Sequence, residues 1–155
     1  MRVGGHRLQD HLRVLAPLFG LIGAVWALRL VLSAAGAPSS VVRVSSVTVA
    51  VPVAVLLAVL ILHRHRLGGY ANVALAALLL SCWAELLIVA ALAFSAVTGI
   101  GNVYGAPEYS GGFTPLQNMI GHLTIGIGMH TLFGIGMGSL LLWMLRRIVP
   151  PRTAR

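Results

Sequence analysis

The sequence predicts an all-α membrane protein, a four-helix transmembrane bundle formed by a single domain of residues 1–155. The 155 residues are 58% apolar and 9% charged, and the mean hydropathy is +0.93. Soluble domains are about 45–50% apolar and about 25% charged, and disordered chains are less apolar still. Four apolar segments are each long enough to cross roughly 30 Å of hydrocarbon, which takes about 20 helical residues. These observations exclude a water-soluble or disordered protein.

The four predicted spans are approximately 14–35, 41–62, 70–98 and 119–145. The connections after the first and second spans are short, so consecutive helices should be antiparallel neighbours. The third connection, between the third and fourth spans, is longer and contains several glycines and aromatic residues. Thr114 precedes Pro115 there, which predicts an N-cap at the start of the fourth helix.

Arginines indicate the orientation of the bundle. The chain has a formal net charge of +8, with no lysine, and short cytoplasmic loops of membrane proteins carry an excess of basic residues. The first and third connections contain no arginine, whereas both chain ends and the second connection do. We therefore expect both termini in the cytoplasm of a bacterial cell, the chain in its cytoplasmic membrane, and the basic residues beside lipid headgroups rather than nucleic acid. The basic residues concerned are Arg2, Arg7, Arg13, Arg64, Arg66, Arg146, Arg147, Arg152 and Arg155.

Four ionisable residues fall inside the predicted spans: Arg29, Glu85, His122 and His130. A charge at the bilayer centre costs about 2.5–3.5 kcal/mol on insertion scales, so such residues are candidates for function. A rise of about 1.5 Å per residue places all four in the outer half of the bilayer or near its midplane. Glu85 comes within about one helical turn, in depth, of Arg29 and His130. The sequence therefore predicts a buried polar centre of Arg29, Glu85 and His130.

This centre has two interpretations. Arg29 and Glu85 could form a structural ion pair between the first and third helices. Alternatively, Glu85 could exchange a proton or bind a cation while Arg29 and His130 tune its pKa. The candidate ligand- or ion-binding set is completed by His122, by Arg43 on the outer half of the second span, and by Ser81, one turn before Glu85.

The fourth span carries a stripe of small residues. Every fourth residue from His122 reads His122, Gly126, His130, Gly134 and Gly138. Small residues at this spacing allow another backbone to approach closely. We expect Gly126, Gly134 and Gly138 to form a tight helix crossing, either within the bundle or between subunits. The predicted partners are the lipid bilayer and, through this helix, a second copy or another membrane subunit.

Known catalytic motifs are missing from the sequence. It contains no P-loop, no H-E-x-x-H and no G-x-S-x-G,, and we predict no catalytic residue, metal or cofactor. His122 and His130 lie on one helix about 12 Å apart by rise, so one haem could not use both. The first prediction is a non-enzymatic subunit or scaffold of a membrane assembly. The alternative is a small proton- or cation-coupled transporter using Glu85, and the third is a haem or quinone redox protein.

Overall fold

A computed structural model describes residues 2–67 and 69–148, and it is all-helical apart from one short hairpin. The described elements are β1 (Arg2–Val3), β2 (His6–Arg7), α1 (Leu8–Ala34), α2 (Ser39–Val44), α3 (Val47–Arg64), α4 (Tyr70–Thr98), α5 (Pro107–Ser110), α6 (Pro115–Gly121), a π-helical turn (His122–Gly126) and α7 (Ile127–Ile148). Four stretches are long and apolar enough to cross a membrane: α1, α2 with α3, α4, and α6 through α7. The prediction of an all-helical protein with four helices long and apolar enough to span a membrane is confirmed.

The chain begins with an antiparallel β-hairpin. Its turn consists of Gly4 and Gly5, whose φ angles are +58° and +86°, a left-handed conformation that glycine adopts without steric cost. α1 follows directly at Leu8, six residues before the predicted start of the first span. The Asp10 carboxylate accepts a hydrogen bond from the backbone N–H of Arg7 and satisfies a donor at the helix start,.

The second span is divided into two helices. α2 ends at Val44, and the Ser46 hydroxyl accepts a hydrogen bond from the Thr48 N–H, which caps the start of α3. Serine favours such N-caps because its short side chain reaches the first free N–H groups of a helix. α4 coincides with the predicted third span and ends at Thr98, followed by the capping residue Gly99, whose φ is +71°.

The fourth span starts four residues before the predicted boundary. The Thr114 hydroxyl accepts from the Gln117 N–H, and the Gln117 side chain in turn accepts from the Thr114 N–H. This reciprocal capping box, with Pro115 as first helical residue, confirms the predicted N-cap,. The helix then widens into the π-helical turn before continuing as α7.

α3 and α4 form the centre of the bundle, and α1 and α7 each pack against both. Their facing residues are alanine, valine and leucine, many of them completely buried. α4 and α7 are antiparallel, because their contacts run in opposite order along the two helices: Glu85 with Gly126, Ala77 with Gly134, Val73 with Gly138 and Tyr70 with Arg146.

The two ends of the bundle differ in charge. The arginine-rich end holds the hairpin, the end of α3, the start of α4 and the end of α7, with Arg2, Arg7, Arg64, Arg146 and Arg147. The loop end holds the connection from α4 to α6. Arg152 and Arg155 lie outside the described residues. The assignment of the arginine-rich end to the cytoplasm stays a prediction.

Candidate functional site

Glu85 is the centre of the site. Its side chain is completely buried, close to the middle of α4. Oε2 lies 2.6 Å from Nδ1 of His122, and Oε1 lies 2.6 Å from Nδ1 of His130. Each carboxylate oxygen therefore has its own imidazole partner on the fourth span. A buried carboxylate needs such partners, since an unpaired charge away from water is very costly.

Gly126 makes room for this carboxylate. A Cβ atom built on Gly126 would lie 2.8 Å from Cδ of Glu85 and 2.9 Å from Oε2. Both distances are shorter than any ordinary contact, so only glycine lets the backbone come this close. Gly126 is midway between the two histidines in the sequence. The carboxylate consequently faces bare backbone, with one imidazole on each side along the helix axis.

The π-helical turn brings the two histidines onto one side of the helix. In a regular α-helix of 3.6 residues per turn, eight residues rotate by about 80° beyond two full turns. His122 and His130 would then point in clearly different directions. A π turn has i→i+5 hydrogen bonds and more residues per turn, which removes part of this excess rotation. The turn spans His122–Gly126, between the first histidine and the second.

Along the bundle axis, the groups of the site follow one another in the order His122, Glu85 and His130. Because α7 is antiparallel to α4, His122 lies on the side of the loop end and His130 on the side of the arginine-rich end. The His122 and His130 side chains are 29% and 18% exposed in the isolated chain, whereas Glu85 is inaccessible. Ser81, one turn from Glu85 toward the arginine-rich end, is buried, and its hydroxyl has no hydrogen-bond partner among the described residues. Imidazole and carboxyl groups in series can pass a proton between them.

Arg29 does not belong to this centre. The expected ion pair with Glu85 is absent, since the carboxylate pairs with histidines only. Arg29 instead lies at the loop end, where it is 7% exposed. Its Nη1 donates a hydrogen bond to the Ser46 hydroxyl at 3.3 Å. Its Cζ lies 4.9 Å and 4.8 Å from the ring centres of Tyr104 and Tyr109. The depth estimate placed Arg29 correctly within a span but could not tell which neighbour its side chain faces.

Some of the other predicted site residues lie near Glu85 and others do not. His122 and His130 both contact Glu85, and Ser81 lies one turn away from Glu85 on α4. Arg43 is exposed on α2 and makes no contact with Glu85. Gly134 and Gly138 pack against α3 and α4 of the same chain, where added Cβ atoms would meet Ala77, Val55, Val73 and Val59. This glycine crossing therefore lies inside the bundle.

The connection between α4 and α6 packs against the ends of α4 and α1. The Asn102 side chain makes two hydrogen bonds. Its Nδ2 donates to the Ala91 carbonyl at 2.6 Å, and its Oδ1 accepts from the Tyr104 N–H. Tyr104 is consequently buried, and burial raises the pKa of its hydroxyl to about 12, with the Arg29 charge opposing the shift. The hydroxyl therefore stays protonated at any physiological pH.

Sequence reasoning did not identify two polar contacts. One is the stacking of Arg29 on two tyrosines that are distant in sequence. The other is His11, completely buried at the arginine-rich end, with Nε2 3.1 Å from Oδ1 of Asn72. The repeat of His11, Leu15, Leu18, Ile22 and Arg29 along one side of α1 would have pointed to its burial,.

Comparison with protein-family models, with curated proteins and with solved structures finds no match to this chain.

Proposed function

We propose that the chain is a small proton-coupled membrane transporter in which Glu85, His122 and His130 take up and release the proton. The observation that carries the proposal is the placement of one inaccessible carboxylate between two imidazoles at membrane depth. This contact supports the transporter over the subunit role that sequence alone ranks first. A pairing with Arg29 would have given Glu85 a permanent counter-charge, whereas histidine changes its charge near neutral pH.

Counting protons supports exchange at this site. With Glu85 ionised and both histidines neutral, each Nδ1–H donates to one carboxylate oxygen and the centre carries one negative charge. One additional proton, on either imidazole or on the carboxyl group, makes the centre neutral. Both states keep hydrogen bonds to the carboxylate, so loading changes charge with little loss of contacts. A site in hydrocarbon that alternates between these states suits coupled transport.

Infrared spectroscopy tests proton uptake at the centre. In reconstituted protein, acidification from about pH 8 to about pH 5, where histidines titrate, should change the carboxyl and imidazole bands. Glu85→Gln should remove the change in the carboxyl bands. Glu108→Gln is the matched control, because Glu108 is exposed in α5 and its loss should leave the buried signal intact. A spectrum that is identical in wild type and Glu85→Gln would refute proton exchange.

Transport requires a second measurement. Proteoliposomes are loaded with a pH-sensitive dye and given a membrane potential together with a candidate substrate mixture from native membrane vesicles. The interior of the proteoliposomes should then acidify. We expect Glu85→Gln to lower this flux by roughly 100-fold, in the range of a lost acid–base group, and Glu108→Gln to leave it unchanged. Equal fluxes in both variants would contradict the transporter.

A second candidate is a non-enzymatic subunit of a membrane assembly, as a homo-oligomer or with other subunits. Two observations support it. In the most apolar part of the fourth span, only 17% of the residues are buried within the chain. The imidazoles of His122 and His130 are also partly exposed. A partner at this helix would cover both rings. Native mass spectrometry after gentle extraction should then show a complex, whereas a single chain with bound lipid would contradict this role.

A further inference from the structure

Arg29 is a buried cation without a carboxylate partner. The chain has three acidic residues, Asp10, Glu85 and Glu108, and all three lie in the described part of the structure. None of them forms an ion pair with Arg29 there. Glu85 is paired with histidines, and Asp10 accepts from a backbone N–H at the start of α1. A guanidinium that is 7% exposed therefore keeps its charge with no negative side chain beside it, which is unfavourable.

The groups around Arg29 offer unused hydrogen-bond donors. Its Nε and the Tyr104 hydroxyl are both buried, and neither makes a hydrogen bond of regular distance and angle with a described residue. The Arg29 side chain is close enough to the Tyr104 hydroxyl to oppose the rise of its pKa, but it leaves the hydroxyl hydrogen free to donate,. Ser46 accepts from both Arg29 Nη1 and the Thr48 N–H, so its own hydroxyl hydrogen is free to donate elsewhere. Such buried donors are rarely left unpaired in proteins. Positive charge and unused donors together match a negatively charged acceptor.

A cleft lies next to this part of the molecule. Its volume is about 350 Å³, and it lies at the loop end between the ends of α1 and α4 and the connection that follows α4. Ser33, one turn after Arg29 on α1, lines it, as do Val103 and Gly105 on either side of Tyr104. Arg29, Tyr104 and Ser46 do not line the cleft themselves.

We propose that Arg29, Tyr104 and Ser46 form a binding site for a small anionic group at the loop end. The group is a free inorganic anion such as chloride, or the phosphate of a lipid headgroup, which offers the same acceptor chemistry. Tyr109 contributes its ring face to the guanidinium and not a donor. The site is separate from the Glu85 centre, so it can exist whether or not Glu85 exchanges protons.

Thermal unfolding of the full chain tests the site. A ligand that binds only the folded state raises Tm by mass action. In neutral detergent, replacing gluconate by chloride at equal ionic strength should raise Tm by about 5 °C. A parallel series in nanodiscs compares a neutral lipid bilayer with one containing an anionic phospholipid, both in gluconate.

Three variants identify the groups involved. Tyr104→Phe removes the hydroxyl and keeps the ring on Arg29, and it should abolish the anion-dependent rise, as should Arg29→Gln. Tyr70→Phe, at the arginine-rich end, is the matched control and should keep the rise. A rise with chloride in detergent supports a free anion, and a rise with anionic lipid only, with the same pattern of variants, supports the headgroup. No anion-dependent rise in either series, or a rise that Tyr104→Phe and Arg29→Gln both retain, would overturn the proposal.

Discussion

At the scale of single residues, the site depends on a glycine that faces a carboxylate. Glu85 can lie against the fourth span because Gly126 has no side chain, and its two oxygens then reach His122 and His130. Charged groups in hydrocarbon are tolerated where they pair with partners inside a bundle. The contact thus joins α4 to the fourth span and also forms the proposed proton site.

The first prediction concerns Gly126→Ala. The added methyl group would overlap the Glu85 carboxylate, so we expect the free energy of unfolding to fall by about 1–3 kcal/mol, as in overpacked cores. Gly128→Ala is the control, because a Cβ there meets nothing within 4 Å. Alanine is the better helix former, and this variant should be neutral or up to about 1 kcal/mol more stable. Denaturant unfolding in detergent measures both, and equal effects would contradict the close contact.

At the scale of elements, the π-helical turn decides which side chains share a face. The turn accommodates one residue more than two turns of an α-helix would, so His122 and His130 share a face although eight residues separate them. His122 lies at its start, so its contact with Glu85 depends on the turn, while His130 lies beyond it in α7. A regular α-helix over the same eight residues would turn His122 by about 80° and keep only the His130 contact.

The second prediction is that deleting Ile125 removes this turn. Ile125 is 71% exposed, so its loss should not disturb packing. His122 would then precede His130 by seven residues, which rotate by about 700° in a regular α-helix, about 20° short of two full turns, so His122 should keep facing Glu85. In the full-length chain, His122→Gln should cost about 1.5–3 kcal/mol, as for a hydrogen bond to a charged group.

A double-mutant cycle measures the effect. In the deletion variant, His122→Gln and His130→Gln should each lower the free energy of unfolding as much as they do in the full-length chain. The prediction would be wrong if His122→Gln were destabilising in the full-length chain and neutral in the deletion variant.

At the scale of the whole molecule, charge divides the bundle into two different ends. Most of the described arginines gather at one end, whereas the loop end buries Arg29 under the connection after α4. Basic residues resist translocation, so the arginine-rich end is expected on the cytoplasmic side. The Glu85 centre then lies between a cytoplasmic end and an external loop end.

The third prediction tests this orientation by cysteine labelling in intact cells, after replacing the native Cys82 by alanine. Phe113→Cys, at the loop end and 64% exposed, should react with a membrane-impermeant maleimide. His65→Cys, exposed after α3, should react only after the cells are broken. The reverse pattern would place the arginine-rich end outside.

The site was only partly predictable from sequence. Glu85 and His130 were expected to be close because both fall near the same depth, and rise per residue estimates depth well. The same estimate also put Arg29 near Glu85, but depth says nothing about the direction of a side chain around its helix. Arg29 turned toward Tyr104 and Tyr109, which lie in a connection whose path no periodic pattern describes.

The amino-acid sequence is sufficient to identify the four apolar spans, the cap at Thr114 and the ionisable residues within the spans. These features follow from local composition and from the fixed rise of a helix. The pairing of Glu85 with His122 and His130, and the separate position of Arg29, become visible only once the helices are packed. Such pairings depend on how each helix is rotated, and here one π-helical turn and one glycine contact set that rotation.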